Sequence, residues 1–348
     1  QGHARELGRL LGRSIKWVQD IHGEKAMKAI EAMEDGDILM LNNIRMDPEE
    51  VGSKGDSLSF SETTLIQDLA SVADVFVNDA FACAHRNTPS IVGFAHQLPC
   101  VAGELMAHEI RQLDIALETP ARPCIAVLGG IKVDDSIDVA LNMLNNNITD
   151  EVWLTGGVAN LAIYLSGYDI GEGNVEFLKN ELKDAWGPTV DAAKSLLTTY
   201  ADNIVLPVDV AANVEGNRID LNVEDLPVHA PLFDLGLQSI RALSTRIKEA
   251  GTIILNGPAG VFELPDFALG TIEMLSACAE TKGYALIGGG HTATLVSRRG
   301  ISDKMGHVST GGGACLDYIA GRTLPGIHAL EISAQRYQLE ITPVVHDE

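Results

Sequence analysis

The chain has 348 residues, of which 46% are apolar, a composition typical of a globular protein that is long enough for two domains. Lys and Arg total 25 against 48 Asp and Glu, and the formal net charge of −23 argues against non-specific binding to nucleic acid or to an anionic membrane. The acid excess is compatible with adaptation to high salt, where screening removes self-repulsion, and equally with an ordinary acidic cytosolic enzyme.

The cysteines and the N-terminus bear on where the protein works. Five scattered cysteines form no CxxC pair, which predicts free thiols in a reduced compartment rather than a zinc site. The first residues have the pattern of an amphipathic helix, not of a signal peptide, and no apolar run is long enough to span a membrane. We therefore expect a cytoplasmic protein. Because the chain does not begin with Met, we also expect its natural N-terminus to lie further upstream.

Helical and strand patterns alternate in the first third of the chain. Helices are predicted at residues 3–12 and from a Ser61 cap to about residue 73, and short buried strands at residues 38–41 and 75–77. Short apolar strands separated by helices indicate βαβ units and a parallel sheet. An amphipathic helix at residues 103–118 then ends at a proline, and we place the domain boundary there.

The second part of the chain repeats this pattern with a stronger signal. Nearly every strand ends in Gly or in a small polar residue, which is typical of an α/β doubly wound sheet. The predicted strands are residues 125–128, 151–154 and 204–208, followed by two apolar runs that begin at Thr252 and Tyr284 and stop at glycines and small polar residues.

Glycine-rich segments follow strands at residues 256–263, 288–292 and 307–314. Backbone amides at a helix N-terminus, with no Cβ in the way, can bind phosphate, so these segments predict a nucleotide site at the carboxyl ends of the strands. Glu263 is compatible with an acceptor for ribose hydroxyls or with a helix-capping carboxylate. The glycines from 288 to 290 are compatible with a phosphate loop or with a tight turn that packs a helix on a strand.

Three cationic positions also follow strands. Lys132, after Gly129 and Gly130, either reaches a phosphate or is a solvated lysine at a helix start. Arg45 and the pair His85-Arg86 either bind a ligand or form surface salt bridges. The chain has no Walker A motif, and the missing GxGxxG disfavours a nicotinamide dehydrogenase. The motifs HExxH and GxSxG do not occur either.

Together these segments resemble the phosphoglycerate kinase family over essentially the whole chain. The similar family motifs are LLLENVRF, VNDAFGTAHR, LGGAKV, LPVD, NGPxGVFE and HVSTGGGA. They correspond here to residues 39–45, 77–86, 127–133, 206–209, 256–263 and 307–314. Asp134-Asp135-Ser136 and Gly290-His291-Thr292 resemble the archaeal branch of the family.

The resemblance implies two Rossmann-like, doubly wound parallel-sheet lobes joined by a long helix, with hinge closure. The implied domains are residues 1–118, which bind phosphoglycerate, residues 119–328, which bind nucleotide, and a tail at 329–348 that returns to the first lobe. It implies phosphoryl transfer between 1,3-bisphosphoglycerate and ADP, reversible with 3-phosphoglycerate and ATP, and Mg²⁺ bound through the nucleotide. A non-catalytic nucleotide-binding protein that kept the fold is the alternative. For the kinase, the resemblance implies small-molecule partners only, ADP or ATP and phosphoglycerate, and a monomer is favoured.

The resemblance also implies roles for individual residues. Arg45 and Arg86 match phosphoglycerate-binding positions, and Lys132 matches a lysine near the transferred phosphoryl group. The matches to nucleotide-binding positions are Gly129, Gly130, Lys132, Asn256, Pro258, Glu263, Gly289, Gly290, His291 and Thr292.

The chain departs from the family pattern in three respects. The initial RVDxN and HLGRP segments are absent, and RIDLN at residues 218–222 is interpreted as a coincidence. Ser136 stands where a second lysine is expected, and His291 stands where an acid often meets the nucleotide's metal. We therefore expect this chain to bind nucleotide better than it turns over.

Overall fold

The structure, a computed structural model, describes residues 1–339 in two compact units. Within the described range, the first unit comprises residues 1–107 and 323–339, and the second comprises residues 108–322. Both divisions lie earlier in the chain than the boundaries at 118 and 328 that the sequence suggests. Each unit combines helices with parallel strands, so the predicted α/β class with two lobes is confirmed.

The N-terminal part of the first unit consists of short elements. Its helices are α1 (Gly2–Leu11), α2 (Glu24–Glu31), α3 (Pro48–Gly52), α4 (Ser57–Phe60), α5 (Thr64–Ala70) and α6 (Pro89–Val92). Its strands are β1 (Lys16–Trp17), β2 (Leu39–Met40), β3 (Phe76–Asn78) and β4 (Cys100–Ala102). Strand β1 pairs in parallel with β2, and β3 with β4, so the described part of this unit has two separate pairs rather than one continuous sheet.

Helix α5 begins later than its sequence predicts, because its cap comes from a distant residue. Ser61 was predicted as the cap, but its hydroxyl donates to the carbonyl of Leu58 at 2.6 Å. The helix starts at Thr64, and the Glu49 carboxylate accepts hydrogen bonds from the amides of Thr64 and Leu65 at 3.3 and 2.8 Å. A carboxylate at a helix N-terminus satisfies orphan donors and complements the helix dipole. No local sequence signal points to Glu49.

Helix α7 (Glu104–Leu117) precedes the elements of the second unit. The helices that follow are α8 (Val133–Asn145), α9 (Gly156–Leu165), α10 (Glu172–Leu182), α11 (Trp186–Thr199), α12 (Leu237–Glu249), α13 (Leu269–Glu280), α14 (Gly290–Arg298) and α15 (Gly313–Ile319). The strands are β5 (Cys124–Leu128), β6 (Glu151–Leu154), β7 (Ile204–Val205), β8 (Asp209–Val214), β9 (Asn217–Asn222), β10 (Leu232–Leu235), β11 (Thr252–Asn256), β12 (Tyr284–Gly288) and β13 (His307–Val308).

Six of these strands form a parallel sheet in the order β13-β12-β11-β5-β6-β7. Strands β5 and β11 lie at its centre, and all five side chains of each are buried. Strands covered on both faces are continuous apolar runs, which is why the sequence predicts them well. Helices α12 and α13 supply much of the core that packs against these two strands.

A three-stranded antiparallel sheet in the order β10-β8-β9 was not predicted. The strand predicted at 204–208 ends at Val205, and Asp209 begins β8 instead. The RIDLN segment lies in β9, where Arg218 contacts the fully buried side chain of Asp234 at 2.8 Å. The segment therefore has a structural role in this sheet.

Helix α16 (Pro325–Tyr337) packs with the first unit. Its Ala329 joins a buried cluster with Phe60, Val92 and Ala95. The hydroxyl of its Ser333 accepts a hydrogen bond from the Cys100 amide at 2.8 Å. The rest of the predicted tail, residues 340–348, lies outside the described residues. No helix within residues 1–339 is long and apolar enough to cross a membrane.

Candidate active site

Four parallel strands of the second unit end side by side. Leu154 of β6 is in register with Leu128 of β5, Leu128 with Asn256 of β11, and Asn256 with Gly288 of β12. Because the carboxyl ends of parallel strands share one edge of a sheet, the segments that follow these strands lie together. This edge brings together the glycine-rich segments that the sequence singles out.

The segments after β5 and β11 are in direct backbone contact. The amide of Gly129 donates to the carbonyl of Asn256 at 2.9 Å, and that of Gly130 donates to the carbonyl of Pro258 at 2.8 Å. Gly257 has φ of +86°, and a Cβ there would lie 2.3 Å from the carbonyl oxygen of Gly129. Only glycine fits position 257, because both the backbone conformation and the space exclude a side chain.

The segment after β6 joins this group, although none of its residues was among the predicted site residues. The amide of Gly156 donates to the carbonyl of Ala259 at 3.1 Å, and that of Gly157 donates to the carbonyl of Gly130 at 2.9 Å. A small cavity of about 10 Å³, room for about one water molecule, is lined by Gly156 and Ala259 of these segments together with residues of α9, β8 and β10. The pair Gly156-Gly157 at the end of a predicted strand is the sequence signal that could have identified this segment as part of the site.

A buried amide oxygen lies beside the start of α14. Asn256 is 5% exposed, and its Oδ1 has no hydrogen-bond partner in the described chain. A Cβ added at Gly288 or Gly289 would lie 3.1 or 3.2 Å from this oxygen, so the two glycines leave little space beside it. The hydroxyl of Thr292 is turned inward and donates to the carbonyl of Gly288. Gly290, the first residue of α14, is exposed and would have open space around a Cβ.

Glu263 and His291 are exposed side chains on two neighbouring segments. The ring of His291 lies 5.8 Å from the ring of Phe262, the residue before Glu263, so these segments approach each other. Glu263 does not cap a helix, because α13 begins at Leu269 with Ala268 at its N-cap. Its carboxylate makes no ion pair with any described residue.

Lys132 is at the N-cap of α8, two residues after Gly130, and is exposed. Its ammonium group makes no salt bridge within residues 1–339. Ser136, one turn into the helix, is fully buried, and its hydroxyl has no partner among the described atoms. Asp135 pairs with Arg322 at 3.2 Å.

The two predicted arginines belong to the first unit and follow β2 and β3. Arg45 lies on a 3₁₀ turn, Ile44–Met46, that the side chain of Asn43 caps, and it is exposed. Arg86 is half-buried. Neither guanidinium forms a salt bridge with a described residue, so the alternative of surface ion pairs is not observed. Nδ1 of His85, the residue before Arg86, and Nδ2 of Asn78, at the end of β3, are buried without described partners.

Comparisons with known proteins agree on one family. A family model described as phosphoglycerate kinase matches residues 1–322. The phosphoglycerate kinase of Methanothermobacter thermautotrophicus is 44% identical over 331 residues, which are 95% of this chain and 79% of that protein. The phosphoglycerate kinase of Methanosarcina mazei is 42% identical over 97% of this chain and 80% of its own length. The chain belongs to the phosphoglycerate kinase family.

Solved structures of phosphoglycerate kinases show the same fold. The crystal structure of the enzyme from Pyrococcus horikoshii OT3 matches with a TM-score of 0.87 at 37% identity, covering 97% of this chain and 83% of that one. The structure from Coxiella burnetii matches with a TM-score of 0.78 at 32% identity, covering 96% of this chain and 80% of that one. The match includes both α/β units.

One buried network in this phosphoglycerate kinase fold was not predicted. Glu109 of α7 is 1% exposed; its carboxylate contacts Nε2 of His307 at 2.8 Å and accepts from the amide and hydroxyl of Thr310. Burial by itself raises the pKa of Glu109, but the hydrogen bonds from His307 and Thr310 outweigh burial and lower that pKa to about 2. The ionised carboxylate thus holds the segment that leads into residues 311–313.

Proposed function

We propose that the chain transfers a phosphoryl group between 1,3-bisphosphoglycerate and ADP, giving 3-phosphoglycerate and ATP, and that the reaction is reversible. The observation that carries this proposal is the common edge at which β6, β5, β11 and β12 end in glycine-lined segments. At this edge the start of α14 presents the amides of a helix N-terminus to phosphate, and the glycines leave room for the ligand to approach the backbone. Identity of 44% to a phosphoglycerate kinase over 95% of the chain supports the enzyme over a non-catalytic protein that kept the fold.

The nucleotide is proposed to lie along this edge of the second unit. Glu263 would accept hydrogen bonds from the ribose, and the start of α14 would face the phosphates. The proposed nucleotide-binding residues share a position in the segments after β5, β11 and β12: Gly129, Gly130, Lys132, Asn256, Pro258, Glu263, Gly289, Gly290, His291 and Thr292.

Arg45 and Arg86 are proposed to bind phosphoglycerate. A guanidinium group recognises phosphate and carboxylate through paired N–H donors. Neither arginine is committed to a carboxylate within the described chain, so both are available to an anionic ligand. In a protein with a net charge of −23, unpaired guanidinium groups are needed to hold such a ligand.

Phosphoryl transfer requires mainly positioning and positive charge around the transferred group. Lys132 is proposed as the catalytic residue, because its unpaired ammonium follows the glycine pair and begins a helix. Mg²⁺ is proposed to arrive with the nucleotide and to neutralise phosphate charge. The site fits a magnesium nucleotide, since Mg²⁺ prefers oxygen ligands and phosphates supply them, and Asn256 offers a buried oxygen without a partner.

We expect Lys132→Ala to lower kcat by about 100-fold and to raise the dissociation constant of Mg-ADP by a much smaller factor, because the charge is needed most in the transition state. The assay couples ATP formation to a dehydrogenase at saturating substrates. Lys132→Arg should recover part of the rate. Lys194→Ala is the matched control, as it removes an exposed lysine from the same unit. Equal kcat values for the Lys132→Ala and Lys194→Ala variants would exclude the catalytic role.

The binding proposal is tested by calorimetric titration with Mg-ADP and, separately, with 3-phosphoglycerate. We expect Mg-ADP to bind with one site per chain and 3-phosphoglycerate to bind more weakly. Glu263→Ala should weaken Mg-ADP alone, and Arg86→Ala should weaken 3-phosphoglycerate alone. Absence of Mg-ADP binding would overturn the assignment of the second unit, and normal nucleotide binding with no turnover would favour the non-catalytic alternative.

We further propose an archaeal-type enzyme, in line with its archaeal relatives, that works in the cytoplasm as a monomer. Light scattering of the purified chain tests the last point. A mass of twice 37.2 kDa would contradict it.

A further inference from the structure

His22 lies between two carboxylates in the first unit. Its Nδ1 is 2.8 Å from Oδ2 of Asp68, and its Nε2 is 3.0 Å from Oδ2 of Asp47. An ionised carboxylate only accepts hydrogen bonds, and a neutral imidazole has a single N–H. Both contacts are therefore hydrogen bonds only when the ring is an imidazolium; the neutral ring directs a lone pair at one carboxylate.

Asp47 connects this bridge to the turn that carries Arg45. It is 7% exposed, its Oδ1 accepts from the amide of Glu49 at 2.8 Å, and its own amide donates to the carbonyl of Ile44 at 3.0 Å. Asp47 thus ends the 3₁₀ turn and caps α3 at the same time. Any shift of Asp47 displaces the backbone two residues from Arg45.

The other end of the turn is tied to the segment that contains His22. The amide of Asn42 donates to the carbonyl of Asp20 at 2.9 Å. The carboxylate of Asp20 is itself fixed by the amides of Ile21 and Ala26 at 2.9 and 3.0 Å. Residues 42–47 are therefore attached to residues 20–22 at both ends, once through backbone and once through the His22 ring.

We propose that His22 is a positioning residue: as an imidazolium it holds the turn bearing Arg45, so that affinity for phosphoglycerate falls as His22 loses its proton. This inference rests on the proposed function of Arg45. His22 itself is not proposed to contact the substrate.

The charges around His22 set the direction of the pH effect. Asp47 faces it from the start of α3, Asp68 faces it from α5, and no other charged side chain of residues 1–339 lies within salt-bridge distance. Burial alone lowers the pKa of His22, but the hydrogen bonds and charges of Asp68 and Asp47 raise it above its usual value. The bridge is therefore complete at low pH and is lost as pH rises through this raised pKa.

The test measures the dissociation constants of 3-phosphoglycerate and Mg-ADP from about pH 7 to about pH 9, above the second ionisation of a phosphate monoester near pH 6. NMR of the His22 ring gives its titration midpoint in the same buffers. We expect the 3-phosphoglycerate dissociation constant to rise severalfold around that midpoint while that of Mg-ADP stays constant. In His22→Asn the 3-phosphoglycerate dissociation constant should be independent of pH and close to the high-pH value of the wild type. His3→Gln, which changes an exposed histidine of the same unit, should behave as wild type.

Hydrogen exchange of residues 43–50 separates this inference from the role of Arg45. Faster exchange in His22→Asn, at matched intrinsic rates, shows that the ring holds the turn whether or not Arg45 binds ligand. If Arg45→Ala leaves 3-phosphoglycerate affinity unchanged, the proposed function of Arg45 is wrong. If His22→Asn keeps the wild-type pH dependence and the wild-type exchange rates, the role of His22 is wrong.

Discussion

Gly257→Ala is expected to lower the free energy of unfolding by about 2–5 kcal/mol and to weaken Mg-ADP binding in the protein that still folds. An L-residue at φ of +86° costs about 1–2 kcal/mol. The new Cβ would also lie 2.3 Å from the carbonyl oxygen of Gly129, and relieving such a contact adds about 1–3 kcal/mol. Because this contact is with backbone, relief must move the segment after β5 that precedes Lys132.

Gly216→Ala is a closely matched control for this prediction. Gly216 has φ of +87°, and nothing lies within 4 Å of its Cβ position. Gly216→Ala should therefore lower the free energy of unfolding by only about 1–2 kcal/mol, the cost of the backbone conformation without the close contact. Urea unfolding monitored by fluorescence and circular dichroism compares the two variants. Equal losses would show that the close approach of the two segments contributes nothing.

Glu109→Ala is expected to lower the free energy of unfolding by about 3–5 kcal/mol at neutral pH, because it leaves several buried hydrogen-bonding groups unpaired at about 1–3 kcal/mol each. The variant leaves His307 and the amide and hydroxyl of Thr310 without an acceptor. Glu104→Ala on the same helix is the control, because Glu104 is exposed and should cost less than about 0.5 kcal/mol. A Glu109→Ala variant as stable as Glu104→Ala would contradict the prediction.

The stabilisation by Glu109 should also depend on pH. Its pKa is about 2 in the folded chain and near the ordinary 4.5 when unfolded. A lowered pKa gives stability that is fully present above the unfolded value and is lost as pH falls through the folded value. The difference in unfolding free energy between the wild type and Glu109→Gln should therefore shrink from about pH 4.5 towards about pH 2. A difference that stays constant over this range would show that the charge of Glu109 is not what stabilises the network.

The sequence predicted the central strands of the second unit closely. The apolar runs predicted to begin at Thr252 and Tyr284 are β11 and β12, which begin at these residues and end at Asn256 and Gly288. Strands buried on both faces are continuous apolar runs and end at glycines, so that both length and end are visible in the sequence. The meeting of their glycine-rich segments at one edge also followed from the sequence, because parallel strands in one sheet share their carboxyl ends.

Edge strands and the first unit were less predictable. Strand β7 is two residues long, and β1 and β2 are equally short, so periodicity offers too few positions to define them. The antiparallel sheet was not predicted, because β9 has only two apolar side chains, Ile219 and Leu221, and none of its residues is buried. The RIDLN segment was interpreted as a coincidence from the sequence. Only the tertiary structure shows that its Arg218 pairs with the buried Asp234.

The sequence by itself determined the α/β class, the parallel core strands and the glycine-rich segments, because these depend on local pattern and backbone freedom. The tertiary structure alone decided which side chain completes each segment. Glu49 caps a helix that begins at Thr64, Glu109 holds Thr310, and His22 bridges to Asp47. The residues of each pair are 15 to 201 positions apart in the chain. The sequence does not show which acidic residue will be exposed and which will be buried with its hydrogen bonds satisfied.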